Sequence, residues 1–360
     1  MSEGTNQHAL DLHKSAIVID GHSDILMAIA DGMMRLSDRY DLPDPKTWTP
    51  PPGAPESEMT KFYGFTKHTA FFKTMGQYDI PRFHEGGLTA QAMAIYIEEE
   101  NINRALNRAL EMVYWLNREF EENPDFVSIT TADEIRLAKT DGNVGGFLTF
   151  EGFEPLGVDL RLLDIFYALG LRMATMTHSR RNYFADGTFP GIQTTGLTKA
   201  GMSAVKRMNE LGIVIDLAHL APQGCLDVIA LSDAPIVLSH CSPRRHLFRG
   251  DPAGGGTDAL ARAVVEGVAQ TGGVVGIIAW NQPTLDAFVD DIAQIVTWVG
   301  EDHVGLGTDF YGVEFSPADF SGIQDLPNLT IRLVERGFSD ETIRKILGEN
   351  YLRVFDSVWG

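Results

Sequence analysis

Cysteine is almost missing from this chain: Cys225 and Cys241 are the only two in 360 residues. That is too few for a disulfide framework, and the pair lacks the spacing of a cysteine zinc site. A reducing compartment follows as the expectation, and with it a cytoplasmic location. Positive charge is also scarce. Against 49 Asp and Glu stand only 29 Lys and Arg, a formal charge of −20. Such a field repels phosphate backbones and anionic lipid, so no nucleic-acid partner is expected. No stretch approaches the roughly 20 apolar residues of a membrane span. The opening residues, Met1 to His8, have neither the basic start nor the apolar core of a leader, so no membrane partner is expected either. What is there is ordinary globular composition, 44% hydrophobic and 22% charged with 36 Gly and 17 Pro. Disorder and collagen-like structure are excluded, and the length allows a large core.

Short β-rich apolar runs recur along the chain at Ala16–Asp20, Thr89–Ile97, Gly146–Phe150, Arg172–Thr177, Ile213–Leu217, Pro235–Ser239, Gly273–Ala279 and Val304–Thr308. Between the second and third, Leu106, Ala109, Leu110, Val113, Leu116 and Phe120 recur at helical spacing, and Thr198–Leu211 and Asp258–Thr271 also read as helices. Apolar strands separated by helices imply a parallel sheet buried on both faces. Eight such units imply an α/β fold closed into a (β/α)8 TIM-type barrel, with an open doubly wound sheet as the competing architecture. No linker divides the chain, so residues 1–360 read as one domain. Its main interruption is an excursion at about 31–80 after the first strand, Pro-rich over Asp41–Glu56 and aromatic-rich after it. That segment either folds over the barrel mouth or packs on the barrel side.

The polar residues cluster at the ends of these runs. The first ends in Asp20-Gly21-His22-Ser23-Asp24, the third in Glu151, the fourth in His178, the fifth in Asp216-Leu217-Ala218-His219, the sixth in His240 and the eighth in Asp309. In a barrel, strand C-termini converge on the face where active sites of this architecture sit. Imidazole and carboxylate are the ligands that suit zinc and similar divalent ions. A single strand-end histidine is more often structural, but four of the ten histidines share this placement. The pattern therefore predicts a metal site at the C-terminal ends of the strands. Asp216, three residues before His219, is expected to support a ligand rather than to be one.

The segments Asp20-Gly21-His22-Ser23-Asp24, Asp79-Ile80-Pro81-Arg82, Glu85-Gly86-Gly87, Thr177-His178, Gly196-Leu197-Thr198, Ile215 to His219, Ser239-His240, His303 to Phe310 and Gly348 to Phe355 resemble the membrane dipeptidase (renal dipeptidase) family of binuclear zinc peptidases. The resemblance runs in order from about residue 15 to 356. It implies a (β/α)8 barrel holding two Zn2+ per chain. His22 and Asp24 would bind one ion, His219 and His240 the other, and Glu151 would bridge them. Asp309 matches the catalytic aspartate and His178 the histidine at the substrate carbonyl. The implied chemistry is hydrolysis of dipeptides, L-Xaa-D-Xaa among them, by a zinc-bridging hydroxide.

Departures from the family pattern occur at Tyr311, where a second acid is usual, at Cys241 beside His240, and near Asp291, where a histidine is usual. The family's substrate-binding arginine has no clean counterpart after His240; Arg249 and then Arg244 are the candidates, with Arg181 on a neighbouring loop. These arginines either pair with local acids such as Asp186 and Asp251 or recognise an anionic substrate side chain. The competing functions are another amidohydrolase reaction, such as lactam or cyclic-amide opening or deblocking, and a non-catalytic metal-binding or biosynthetic accessory protein. The expected partners are a small dipeptide and, at most, a second copy of the chain as a homodimer.

Overall fold

A computed structural model describes residues 3–39, 76–188, 195–243, 257–279, 282–312, 316–317 and 319–359. Among the described residues nine parallel strands are found: β1 (Ile19–Asp20), β2 (Ala90–Tyr96), β3 (Phe126–Ser128), β4 (Val144–Glu151), β5 (Leu171–Thr175), β6 (Val214–Asp216), β7 (Val237–Cys241), β8 (Val274–Ile277) and β9 (Val304–Leu306). Eight of them close in the order β1, β2, β4, β5, β6, β7, β8, β9, sealed by the β2–β4 and β1–β9 pairings. The fold is a (β/α)8 barrel, and the open sheet is set aside.

The remaining strand, β3, is one the sequence pattern does not predict. It pairs with Val144–Gly146 at the lower part of β4, on the edge that β5 takes from Leu148 onward. Only Phe126 of its three residues is buried, so it carries no alternation to read.

The connecting helices have the amphipathic spacing expected of them. Along Ala105–Glu122 the buried positions include Ala105, Ala109, Met112, Val113 and Leu116. The helix Lys199–Leu211 begins where the Thr198 side chain accepts from the Gly201 N–H, and ends at Gly212. The Pro-rich part of the expected excursion falls at 40–75, outside the described residues.

Among the described residues two apolar clusters hold the barrel together. The larger lies between strands and helices. The smaller includes the strand residues Ile19, Ala90, Ala92, Phe147, Met173, Val214, Val237 and Val274, joined by Tyr351, Leu352, Val354 and Phe355 of the C-terminal helix Asn350–Trp359. Along β2, β4, β6 and β8, side chains of opposite parity feed the two clusters. Tyr351 is fully buried, and its hydroxyl donates to the Ser239 carbonyl at 3.1 Å. Gly305 on β9 makes room for it: a Cβ there would stand 2.5 Å from the Tyr351 ring.

Candidate metal centre

The C-terminal ends of the strands bring the predicted residues together. Several are delivered by a local break in regular structure. Asp24 occupies the N-cap position of the helix Ile25–Ala30 yet makes no side-chain capping bond. An aspartate there ordinarily caps; this one leaves Oδ1 buried without a hydrogen-bond partner. Glu151 is the last residue of β4, a strand buried throughout. His240 lies where the β7–β8 register shifts between Leu238 and Cys241, an irregularity that re-aims a side chain. His219, Asp309 and Tyr311 have φ of 61°, 55° and 73°, and are the non-glycine residues of positive φ among the described residues. Each such residue costs roughly 1–3 kcal/mol, and this kind of strain gathers at functional sites.

Glu151 is at the centre of the group. Its Oε1 lies 3.0 Å from His219 Nε2, 3.5 Å from His22 Nε2 and 3.7 Å from His240 Nε2. His22 Nε2 is also 3.8 Å from Asp24 Oδ1 and 3.6 Å from Asp309 Oδ1. The Nε2 atoms of His219 and His240 are 2.9 Å apart. His178 joins from β5, its ring centroid 4.2 Å from that of His219. Ligand-type atoms lie within 4.8 Å of one another in three sets: His22, Glu151 and His240; Glu151, His178 and His219; and His22, Asp24 and Asp309. These sets overlap through His22 and Glu151. They group the donors differently from the pairing implied by the family resemblance, which puts His219 with His240.

The electrostatics fit divalent cations. Burial, with the nearby His219, lowers the His22 pKa to about 3, so its imidazole is neutral and able to ligate. Burial, and after it the mutual repulsion of the acids, pushes Asp24 and Glu151 well above the usual carboxylate range. Buried carboxylates this close are disfavoured as anions unless positive charge stands among them. His22 Nε2, Asp24 Oδ1 and Glu151 Oε2 are buried with no hydrogen-bond partner. Such orphaned donor atoms suit ion coordination.

A supporting layer orients the ligands. The Ser239 hydroxyl donates to Asp216 Oδ2 at 2.5 Å, so its oxygen accepts from His240 Nδ1 at 2.9 Å. That assigns the proton to Nδ1 and makes Nε2 the nitrogen whose lone pair faces the group. Asp216 Oδ1 also accepts from the Ser239 and Ala218 N–H groups. The supporting role expected of Asp216 thus matches its contacts. Ser239→Ala should weaken metal binding by about 10–100-fold with the fold intact; a competitive chelator titration beside far-ultraviolet circular dichroism measures this.

Asp20 does similar work between β1 and β9. It accepts from the Thr308 N–H and hydroxyl at 2.8 and 2.7 Å and from the Tyr78 hydroxyl at 2.8 Å. His22 and Asp309 are thereby anchored to one buried carboxylate. Sequence reasoning did not single out Asp20 for this role, although it opens the motif containing His22; Tyr78 lies far away in the chain and offers no local signal.

The departures from the family pattern find places here too. Asp291 accepts from the Ser242 hydroxyl at 2.7 Å and from Gln282 Nε2 at 2.6 Å, tying the end of β7 to the segment after β8. Burial, with Asp291 and Asp216 nearby, pushes the Cys241 thiol well up, and Cys241 belongs to none of the three ligand-type sets. The Tyr311 N–H donates to Gln77 Oε1 at 2.8 Å. Of the candidate arginines, Arg181 is ion-paired with Asp186 and 54% exposed, which is the local pairing anticipated for it. Arg180 pairs with Glu99 at 2.8 Å. Arg244 and Arg249 lie outside the described residues.

The chain is similar to several known proteins. Dipeptidase tcpJ of Claviceps purpurea is 28% identical over 324 residues, 82% of this chain and 73% of that protein. The solved structure of a dipeptidase AC, described as a metallo peptidase of family M19, is 26% identical, with a TM-score of 0.77 over 96% of this chain and 99% of that one. A metallo peptidase from Rhodobacter sphaeroides, liganded with a phosphinate mimic of the dipeptide L-Ala-D-Ala, is 25% identical, with a TM-score of 0.75 over 96% of this chain and all of that one. No helix among the described residues is long and apolar enough to cross a membrane. The family profile for membrane dipeptidase, peptidase family M19, matches residues 6–359, and the chain belongs to that family.

Proposed function

We propose that the protein is a cytoplasmic binuclear zinc dipeptidase that hydrolyses free dipeptides, L-Xaa-D-Xaa among them. In this reading His22, Asp24, Glu151, His219 and His240 are the metal ligands. The observation that carries it is the convergence of four imidazoles and three carboxylates at one end of the barrel, with Glu151 among them. Two zinc ions held by these residues would supply Lewis-acid activation of the scissile carbonyl and a source of hydroxide near neutral pH.

The chain's own residues do the rest. Asp309, beside His22, accepts the proton of the attacking water and returns it to the leaving amine. His178, at the rim of the same group, donates a hydrogen bond to the developing oxyanion. Arg249, with Arg244 after it, is the candidate for the substrate's terminal carboxylate. The dipeptide mimic carried by the Rhodobacter sphaeroides relative supports the substrate class and its D-configured second residue.

Elemental analysis of the purified protein, paired with a screen of L-Xaa-L-Xaa and L-Xaa-D-Xaa libraries, tests this reading. Two divalent ions per chain and turnover of dipeptides are expected. At most one ion, with none gained on adding zinc, overturns the binuclear site. Cleavage of lactams or cyclic amides without dipeptides overturns the substrate assignment.

A further inference from the structure

The barrel mouth over β2, β4 and β5 holds polar atoms that the catalytic roles leave unused. Gly152 takes φ +112° directly after Glu151, and the chain turns Glu154 back over it. A Cβ on Gly152 would stand 2.1 Å from Glu154 Oε2 and 3.4 Å from the His178 backbone nitrogen, so both border the space over Gly152. Asn182 hydrogen-bonds that carboxylate, yet Glu154 Oε1 is buried with no hydrogen-bond partner. Arg180, two residues beyond His178, reaches Glu99 through Nη2, while its Nη1 is buried and also has no hydrogen-bond partner. The two groups are close enough for Arg180 to act on the Glu154 charge. Tyr96, in register with Glu151, packs its ring 4.6 Å from that of His178 and closes the same wall.

A buried acceptor and a buried donor left unpartnered near each other are each costly. One ligand group that carries both a donor and an acceptor satisfies the two together. The position of the wall says which part of a dipeptide it meets. Around the closed barrel β5 is four strands from β9, the strand leading to Asp309, and β2 is four strands from β7. Asp309 serves the leaving amine, which belongs to the C-terminal residue, so the opposite wall faces the N-terminal residue.

We propose that Glu154 and Arg180 form a subsite for the side chain of the dipeptide's N-terminal residue, and that it selects a carboxamide. The proposal rests on the dipeptidase reading above. The amide nitrogen of Gln or Asn donates to Glu154 Oε1 and its oxygen accepts from Arg180 Nη1. A Lys side chain meets Glu154 but is repelled by Arg180. A Glu side chain meets Arg180 but is repelled by Glu154 and Glu99, and an alkyl chain leaves both atoms unpaired.

The test is kcat/KM of the zinc-loaded enzyme on Gln-Ala, Met-Ala, Glu-Ala and Lys-Ala, with calorimetric affinities for phosphinate mimics of Gln-Ala and Met-Ala as a second readout. Gln-Ala should exceed Met-Ala by about tenfold or more, with the mimics ranked alike. Arg180→Met and Glu154→Leu should bring that ratio toward one, and in Arg180→Met Lys-Ala should gain on Gln-Ala, a reordering that loosening of the loop alone does not produce. Glu154→Gln, which keeps an acceptor in place, should retain part of the preference. Similar kcat/KM on all four substrates, or a preference unchanged in the variants, overturns the subsite and leaves the dipeptidase reading standing. An enzyme that cleaves no dipeptide overturns that reading and the subsite with it.

Discussion

Asp309→Asn should lower turnover by roughly 10²–10⁴ while both metal ions remain bound. The substitution keeps the side chain's shape and removes its capacity to hold a proton. Its backbone setting should survive, because Asp309 is positioned by its neighbour: Thr308 donates both its N–H and its hydroxyl to the buried Asp20. The measurement is kcat beside metal content on the same preparation. Near-native turnover would remove Asp309 from the reaction. Parallel loss of metal and activity would make it a ligand instead, a role for which its Oδ1, 3.6 Å from His22 Nε2, is well placed.

Glu151→Gln should cost more than turnover. Three histidine Nε2 atoms stand within 3.7 Å of a single Glu151 oxygen, so loss of its charge acts on both ions of the proposed centre. Metal content should drop to one ion per chain or fewer, and turnover by about 10³ or more, the worth of several kcal/mol of transition-state stabilisation. The fold should persist, since neutral Gln is easier to bury than the carboxylate it replaces. Thermal unfolding of the metal-free proteins checks that point, and elemental analysis checks the ions. Retention of two ions with ordinary turnover would dismiss Glu151 as the shared ligand.

Much of the barrel is legible in the sequence because its signals are local. A strand buried on both faces reads as an apolar run, and a helix on the outside reads as a face repeating every three or four residues. Where such a run ends in His22, Glu151, His178, His219 or His240, the ligand-type residue is visible as a polar break at its end. β3 is not legible, since three residues with one buried side chain carry no period. Strand ends are also blurred: the run Ala16–Asp20 yields paired strand only at Ile19–Asp20, and Val304–Thr308 stops at Leu306, because Thr308 turns its hydrogen bonds to Asp20.

The sequence alone determined the alternation of strand and helix, the charge and the residue types at the strand ends, all of which depend on neighbours a few positions apart. Tertiary structure decided which of those residues meet. Only barrel closure brings Glu151 from β4 against His22 from beyond β1 and His240 from β7. The same closure brings Asp216 of β6 to Ser239 of β7, which assigns the proton of His240, and brings Glu154 from beyond β4 within electrostatic reach of Arg180 from beyond β5. These contacts join residues far apart in the chain, at separations fixed to a few tenths of an ångström by packing. Packing of that kind is a property of the whole barrel, and no window of sequence contains it.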